Sequence, residues 1–326
     1  MKRDNDDTLS TLGRKDPLEV DWLSQKLQKL PFPPKRQSKN NTFTIITWNI
    51  WFAPYEWELR LEALLSECLQ QHPDVLCFQE VTTNVHRCML NCQYLRSRYE
   101  PTELSLPHGY DCAIWIRKDS SRLEVNSTNT LPLESIYGRR GLLVDLEVAS
   151  SSSRKKNDTP AKIRVVATHL ESGRHMEMTR RKQLDALFSD MKETPCGNTK
   201  DIKPHVAFLV GDFNLDPSYA ENEVVDANST DLWKLLKPKN DPGYTEDTYQ
   251  NQMRFEAHGK HKQVRYDRIV MMDLAEHSIS QPMQAPPKYM CVPTAIERLG
   301  VEPFDSAKTI WPSDHFGLVA VLEMEG

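Results

Sequence analysis

The stretch His205 to Pro217, HVAFLVGDFNLDP, constrains this chain more than any other. Val206 to Val210 is a short apolar run with β-branched and aromatic members, the pattern of a buried strand. Gly211 ends the run, and Asp212 and Asn214 follow at alternate positions, so both side chains can point the same way at a strand's exit. A carboxylate beside a carboxamide suits the activation of water: Asp212 accepts the proton and Asn214 orients the nucleophile. Gly, Asp and Asn are equally the residues of a turn, and this stretch alone leaves both readings open.

The same ending recurs along the chain. FTIITWNI (43–50) alternates and is β-rich, with Asn49 at its end. A helix from Trp57 to Gln71 follows, with Leu61, Leu64, Leu65 and Leu69 on one face and Pro73 stopping it. DVLCFQE (74–80) is a second buried strand that delivers Gln79 and Glu80 at its end. Residues 84–98 read as helical and Tyr110–Arg117 as a strand, and Arg139, Arg140 and Gly141 precede another strand over Leu142–Val148. The run from Ile163 to Thr168 leads into His169-Leu170-Glu171-Ser172, and a basic helix with Arg174, Arg180, Arg181 and Lys182 comes next. A short helix near Asp231–Leu236 precedes a loop or hairpin over Gly243–Met253. VRYDRIVM (264–271) reads as a strand with Asp267 in mid-run, a costly place for a carboxylate unless it is paired. WPSDHFGLVAV (311–321) puts Asp314 and His315 just before a last strand.

Each polar strand end is bland by itself. Together, Asn49, Glu80, His169, Asp212, Asn214, Asp267, Asp314 and His315 require one rim of the sheets to collect carboxylates, amides and imidazoles. Such a rim is expensive to bury without a cation or an anion to compensate it. Metal-assisted hydrolysis of a phosphoester fits that inventory, and hard oxygen ligands such as Glu80 suit Mg²⁺ or Mn²⁺ better than zinc.

Composition sets outer limits. At 326 residues and 39% apolar content the chain can bury a sizeable core, and its net charge of −5 leaves room for a local basic cleft that binds nucleic acid. Seven cysteines without zinc-ligand spacing point to reduced thiols and an intracellular setting, nucleus or cytoplasm, with Cys88 and Cys92 read as buried core thiols. The N-terminus carries no apolar signal segment and no run is long enough to span a bilayer, so no membrane partner is expected. Residues 1–40 are polar and Pro-punctuated and read as a flexible, poorly packed leader. Within them, Trp22, Leu23, Leu27 and Leu30 could share one face of a short amphipathic helix, a docking segment for a partner in the other reading. Lys35 and Arg36 give a weak nuclear-import signal. The SSSSRKKNDTP stretch (150–160) reads as a loop between strands, so residues 41–326 form one catalytic domain.

TWN (47–49), QE (79–80), THLES (168–172), GDFN (211–214), YDR (266–268) and SDH (313–315) occur in an order that resembles the endonuclease/exonuclease/phosphatase superfamily. The resemblance spans residues 43 to 326 and implies a four-layer α/β sandwich, two mixed β-sheets packed face to face and flanked by helices. Within that superfamily, YGRRGLLVDLEV, GYTEDT before VRYDRI, and IWPSDHFGL are most similar to the tyrosyl-DNA phosphodiesterase 2 family. That family implies Mg²⁺-dependent hydrolysis of the bond between a 5′ DNA phosphate and a tyrosine of trapped topoisomerase II, with RNA as a further substrate of some members. The working chain would be a monomer, with DNA ends as substrate and a topoisomerase-derived peptide as leaving group.

Carried over position by position, the resemblance gives Asn49, Asp212 and Asn214 the scissile phosphate and the attacking water, and gives Glu80 the Mg²⁺ with Asp314 as a weaker ligand. His169 and His315 would donate to the phosphoryl oxygens, with Asp267 orienting and charging His315. Ser172, Arg174, Arg181, Tyr249 and Arg265 are the candidate substrate contacts. Three positions depart from the family: Trp51 replaces an Asp of animal forms, Asp216 an Arg, and Glu246 an aromatic residue. These leave the metal and nucleophile set whole and alter the walls that would grip tyrosine and DNA. GDFNLDPSY also resembles poly(A) deadenylases of the same superfamily, which makes an RNA exonuclease the alternative enzyme. A non-catalytic scaffold would show losses among the chemical positions, and all are filled.

Overall fold

Strand β1 (Thr42–Asn49) turns Phe43 and Ile45 to one side and Ile46 and Trp48 to the other, and all four are fully buried. A strand covered on both faces belongs to the middle of a layered fold. The computed structural model describes residues 21–29, 41–107, 109–118, 122–149, 160–194, 203–274 and 290–325. Its further strands are β2 (Val75–Thr82), β3 (Tyr99–Pro101), β4 (Tyr110–Arg117), β5 (Leu123–Pro132), β6 (Arg140–Val148), β7 (Ala161–His169) and β8 (Val206–Asp212). They continue with β9 (Thr230–Asp231), β10 (Glu246–Asp247), β11 (Gln263–Val264), β12 (Asp267–Asp273), β13 (Met290–Leu299) and β14 (Gly317–Glu325). The helices are α1 (Trp22–Leu27), α2 (Trp57–Gln70), α3 (Thr83–Asn91), α4 (Gln93–Arg96), α5 (Glu177–Glu193), α6 (Glu221–Asn228), α7 (Leu232–Leu236) and α8 (Gln252–His258).

Two six-stranded sheets result, ordered β13-β14-β1-β2-β4-β3 and β5-β6-β7-β8-β12-β9. Both are mixed: β1 and β2 run parallel in the first, β7 and β8 in the second, and the remaining pairs are antiparallel. Each parallel pair is joined by a helix, α2 or α5, as a parallel connection requires. Phe43, Ile45, Val75, Phe208 and Val210 share the core between the sheets. Ile46, Trp48 and Phe78 pack with Leu61, Leu64 and Leu65 of α2 outside the first sheet, and Val166 and Leu209 with Leu184 and Phe188 of α5 outside the second. This is the expected four-layer sandwich.

Local differences from the sequence reading have physical causes. Gly211 does not end the central strand: β8 runs on to Asp212, and Gly211 takes φ 136° where a Cβ would lie 1.9 Å from the Thr168 carbonyl oxygen. β2 runs on to Thr82, with Glu80 at φ 60° in a bulge between Phe78 and Val81 rather than at the strand's end. The run from Val264 to Met271 is two strands, so Asp267 opens β12 instead of lying mid-strand. The stretch around residues 84–98 is two helices, α3 and α4.

The leader expectation needs correction over residues 21–29. Leu23 and Leu27 of α1 are buried in the same cluster as α2 and α4 residues, each burial contributing about 1.5–3 kcal/mol. Asp21 caps α1 at the Ser24 amide and also accepts from the Gln93 amide, both at 3.0 Å. At Leu23 and Leu27 the apolar face is covered within the chain. The expectations for residues 1–20, Leu30, Lys35, Arg36 and 150–159 lie outside the described residues. Cys88 and Cys92 are buried free thiols one turn apart. Among the described residues no helix is long and apolar enough to cross a membrane.

Candidate active site

The two parallel pairs point the same ends toward one open cleft of about 590 Å³. Asn49 pairs in register with Gln79 in the first sheet, next to Glu80, and His169 pairs with Asp212 and Asp267 with Asp212 in the second. The third contribution is the segment before β14. Trp48 Nε1 donates to the His315 carbonyl at 2.9 Å, and Ser313 Oγ donates to the Asn49 carbonyl at 2.6 Å. Gly317 makes room for this seam, since a Cβ there would sit 2.5 Å from the Trp48 ring.

Asp212 is held on several sides. Its Oδ2 accepts from Asn49 Nδ2 at 3.0 Å and lies 3.5 Å from His169 Nε2, and its Oδ1 accepts from the Asn214 amide at 2.9 Å. Asn214 Nδ2 in turn donates to the Leu170 carbonyl at 3.0 Å. Trp51, Glu80 and Asn214 all have φ between 52° and 60°, an uncommon backbone for such residues, stored at a cost of about 1–3 kcal/mol each. His315 Nδ1 lies 2.7 Å from Asp267 Oδ2, and both residues are buried. Burial opposes charge on that imidazole, but Asp267 and Asp314 outweigh it and hold His315 well above the usual histidine range. His169 goes the other way: burial first, then the Arg139 charge, push it down to about 3.

Glu80 lies at the cleft beside the charge of Asp314. Burial, then the charge of Asp314, push its carboxyl up to about 7, against one backbone donor, the Phe52 amide at 3.0 Å. A half-buried carboxylate whose ionisation is opposed by burial and by the neighbouring Asp314 charge marks a hard, anionic oxygen environment of the kind that suits Mg²⁺ or Mn²⁺. Asp212, Asp267 and His315 also offer ligand atoms within 4.8 Å of one another, with His315 Nδ1 and Asp267 Oδ2 already joined by their short hydrogen bond. Asp314 Oδ2 also faces Arg254 Nη1 at 3.2 Å, so a cation at Glu80 and Asp314 would share that carboxylate with the guanidinium.

Of the residues singled out in the sequence, Glu80, His169, Ser172, Arg174, Asp212, Asn214, Asp314 and His315 line the cleft. Asn49 and Asp267 are buried directly behind it, bonded to Asp212 and His315. The structure does not bring Arg181, Tyr249 or Arg265 to the cleft lining. Arg181 is exposed on α5, Tyr249 stacks on His261 at 4.2 Å, and Arg265 is committed to Asp231 through contacts of 2.9 and 2.8 Å. Arg180, read with the basic helix, is buried against Glu221 and the carbonyls of Glu171 and Gly173, so it anchors the loop before α5.

Sequence reasoning missed several lining groups. Arg139 Nη1 lies 2.9 Å from His169 Nδ1. Arg254 lies between Glu246 and Asp314, at 2.6 and 3.2 Å, and Lys262 reaches Glu246 at 2.8 Å. Glu246 is therefore neutralised rather than a bare charge in the wall. Trp51, Phe52, Tyr110, Tyr219 and Tyr266 supply aromatic surface. Apart from Trp51, which departs from the family, the aromatic residues carried no distinguishing signal in the sequence, since core tyrosines and tryptophans look the same.

Comparison with known proteins gives the family. The sequence profile described as the Endonuclease/Exonuclease/phosphatase family matches residues 46–315. Human tyrosyl-DNA phosphodiesterase 2 is 28% identical over 301 residues, 90% of this chain and 72% of that protein. Nocturnin of Xenopus laevis is 27% identical over 234 residues, 63% of this chain and 57% of that protein. The crystal structure of Danio rerio TDP2 with a single-strand DNA product superposes with a TM-score of 0.68 at 22% identity, covering 86% of this chain and 99% of that one, a likeness of fold. The chain belongs to the Endonuclease/Exonuclease/phosphatase family, and its chemistry is that of a metal-dependent phosphodiesterase.

Proposed function

We propose that the chain hydrolyses the 5′-phosphotyrosyl bond that joins a DNA end to a protein, with Mg²⁺ (or Mn²⁺) bound at Glu80 and Asp314. The observation that carries this reading is the fixed position of Asp212, held by Asn49 and the Asn214 amide at the mouth of an aromatic-walled cleft. In that position Asp212 takes the proton of the attacking water, and Asn49 and Asn214 keep its carboxylate aimed. The proton of His169 sits on Nε2 because a guanidinium can only donate to Nδ1, so a neutral imidazole offers one N–H toward the cleft. His315, kept charged by Asp267, offers a second donor to the phosphoryl oxygens as negative charge builds. The cation, when bound, supplies further charge neutralisation for the phosphoryl oxygens. A phenol of pKa about 10 leaves more readily than an alcohol, so departure of tyrosine needs little acid assistance.

The choice of tyrosyl-DNA over other phosphodiesters draws on the human relative and on the walls of the cleft. Arg174 and Lys262 give it cationic edges, and Trp51, Phe52 and Tyr219 give flat surfaces for a base or a phenol ring. The substrate in this reading is a DNA end carrying a topoisomerase II-derived peptide, and the enzyme acts as a monomer in nucleus or cytoplasm, where its free cysteines would stay reduced. The similarity to Nocturnin and the GDFNLDPSY stretch favour a second reading, an RNA exonuclease. Rates on a 5′-phosphotyrosyl oligonucleotide, a poly(A) strand and an abasic duplex, with and without Mg²⁺, separate the two. Preference for the first substrate supports the proposal, and preference for poly(A) replaces it.

A further inference from the structure

A second cleft of about 800 Å³ opens on the other side of β12, between α6, α7 and residues 238–244. Pro217, Tyr244 and Arg265 in its lining are one or two residues from Asp216, Glu246 and Tyr266 of the catalytic cleft, so the two openings share a strip of chain. Two guanidiniums, Arg265 and Arg268, line it, and the buried carboxylate of Asp231 lies beside them outside the lining. Arg265 takes both oxygens of Asp231, and Asp231 Oδ1 also caps α7 through the Trp233 and Lys234 amides at 3.0 and 3.4 Å. Arg268 is left with Nη1 at 3.7 Å from Asp231, beyond hydrogen-bond reach, and one bond from Nη2 to Asn222 Oδ1 at 2.6 Å. It is 2% exposed, and its Nε and Nη1 have no hydrogen-bond acceptor.

A buried guanidinium with idle donors in the wall of an open cleft calls for an anion. The rim repeats the sign. Lys239 is exposed there, while Lys234 and Lys237 are matched by Asp226 and Glu297, and the carboxylate of Asp241 is turned to the Gly243 amide at 2.9 Å. Trp233, Pro242 and Tyr244 add apolar wall to that charge. Burial and the neighbouring Arg265 push Arg268 down to about 10, against the opposing charges of Asp231 and Asp226.

We propose that this cleft is a second phosphate-binding site, in which Arg268 and Lys239 attract the phosphate of a nucleotide unit whose apolar part lies against the Trp233–Tyr244 wall. Two sources share that chemistry: a nucleic-acid strand running on from the catalytic cleft, and a free mononucleotide. Binding of thymidine 5′-monophosphate and of single strands of roughly four and roughly fifteen nucleotides, measured in Mg²⁺-free buffer, tells them apart. The proteins compared are wild type, Lys239→Glu, Arg268→Met, and Lys182→Glu, which alters an exposed α5 charge outside both clefts. Weakening of the long strand alone by about three- to tenfold in Lys239→Glu, with a salt slope smaller by about one, identifies the strand. Weakening of the mononucleotide as well identifies the free ligand. If Arg268→Met does not fold, Lys239→Glu still decides. Unchanged affinities in Lys239→Glu, or an equal loss in Lys182→Glu, overturn the proposal. No turnover enters this readout, so a chain without activity on 5′-tyrosyl ends would leave it intact.

Discussion

Arg139 donates to the inner nitrogen of His169, and that one contact at 2.9 Å fixes which face of the imidazole bears its proton. Arg139→Met frees the ring to exchange tautomers and removes a positive charge beside it. Turnover should fall by about 10- to 100-fold, as for other partners that orient a reacting group. The ¹⁵N shifts of the His169 ring report the change directly: a single Nε2–H form in wild type and a mixture in the variant. An unmixed tautomer in Arg139→Met would remove this role.

Asp212→Asn and His315→Ala should each lower turnover by roughly 10²–10⁴-fold while the chain stays folded. The first removes the proton acceptor and the second a donor to the phosphoryl oxygens. Circular dichroism and single-turnover rates on one preparation are sufficient. A folded Asp212→Asn protein with wild-type rate would show that another group takes the proton.

Glu80→Gln should lose the thermal stabilisation that Mg²⁺ confers on the wild-type protein, since the variant gives up the better of two anionic ligands. Melting temperatures across an Mg²⁺ series make the comparison without any substrate. An equal upward shift in both proteins would place the cation elsewhere.

Asp231 is a pH-sensitive strut. Burial alone would raise its carboxyl, but Arg265 and then Arg268 outweigh burial and hold it below the usual carboxylate range. With the folded value below the unfolded one, about 3.9, its contribution is fully present above that pH and is lost as pH falls through the folded value. Asp231→Asn should therefore flatten the acid limb of the stability profile below about pH 4. At neutral pH it leaves two buried guanidiniums facing no charge and should cost about 3–5 kcal/mol. Urea midpoints between acid and neutral pH test both parts.

Leu27→Ala should destabilise the whole domain by about 2–5 kcal/mol, because Leu27 is fully buried beneath α1. A detachable leader would show no such loss in a denaturant titration.

Legibility followed burial. β1, β2, β4, β7 and β8 could be read because each is an apolar run covered on both faces, and their ends carried nearly all of the rim chemistry. β5 could not: it is the edge of its sheet, largely exposed, and its NSTNT centre is polar, bonded to β6 through Asn126 and Ser127 side chains as well as backbone. β13 hides for a related reason, since Pro293 and a bulge beside it mark an edge strand that carries little pattern. Of the site, the strand-borne groups were visible, whereas Arg139 and Arg254 were not. A guanidinium preceding a strand or inside a short helix acquires a role only when folding sets it beside a particular imidazole or carboxylate. Arg265 and Tyr249 lie outside the cleft lining, Arg265 held by Asp231 and Tyr249 exposed and stacked on His261, a placement that no sequence pattern encodes.

The pairing of one parallel strand couple in each sheet has a consequence for how this enzyme would fail. Half of its chemistry rides on one leaf and half on the other, clasped by residues such as Phe43 and Phe208 that never approach a phosphate. Loosening the hinge between the leaves by a fraction of an ångström would separate Asn49 from Asp212 while every helix and strand persisted. Heat or a core lesion should then silence the protein well before its secondary structure melts.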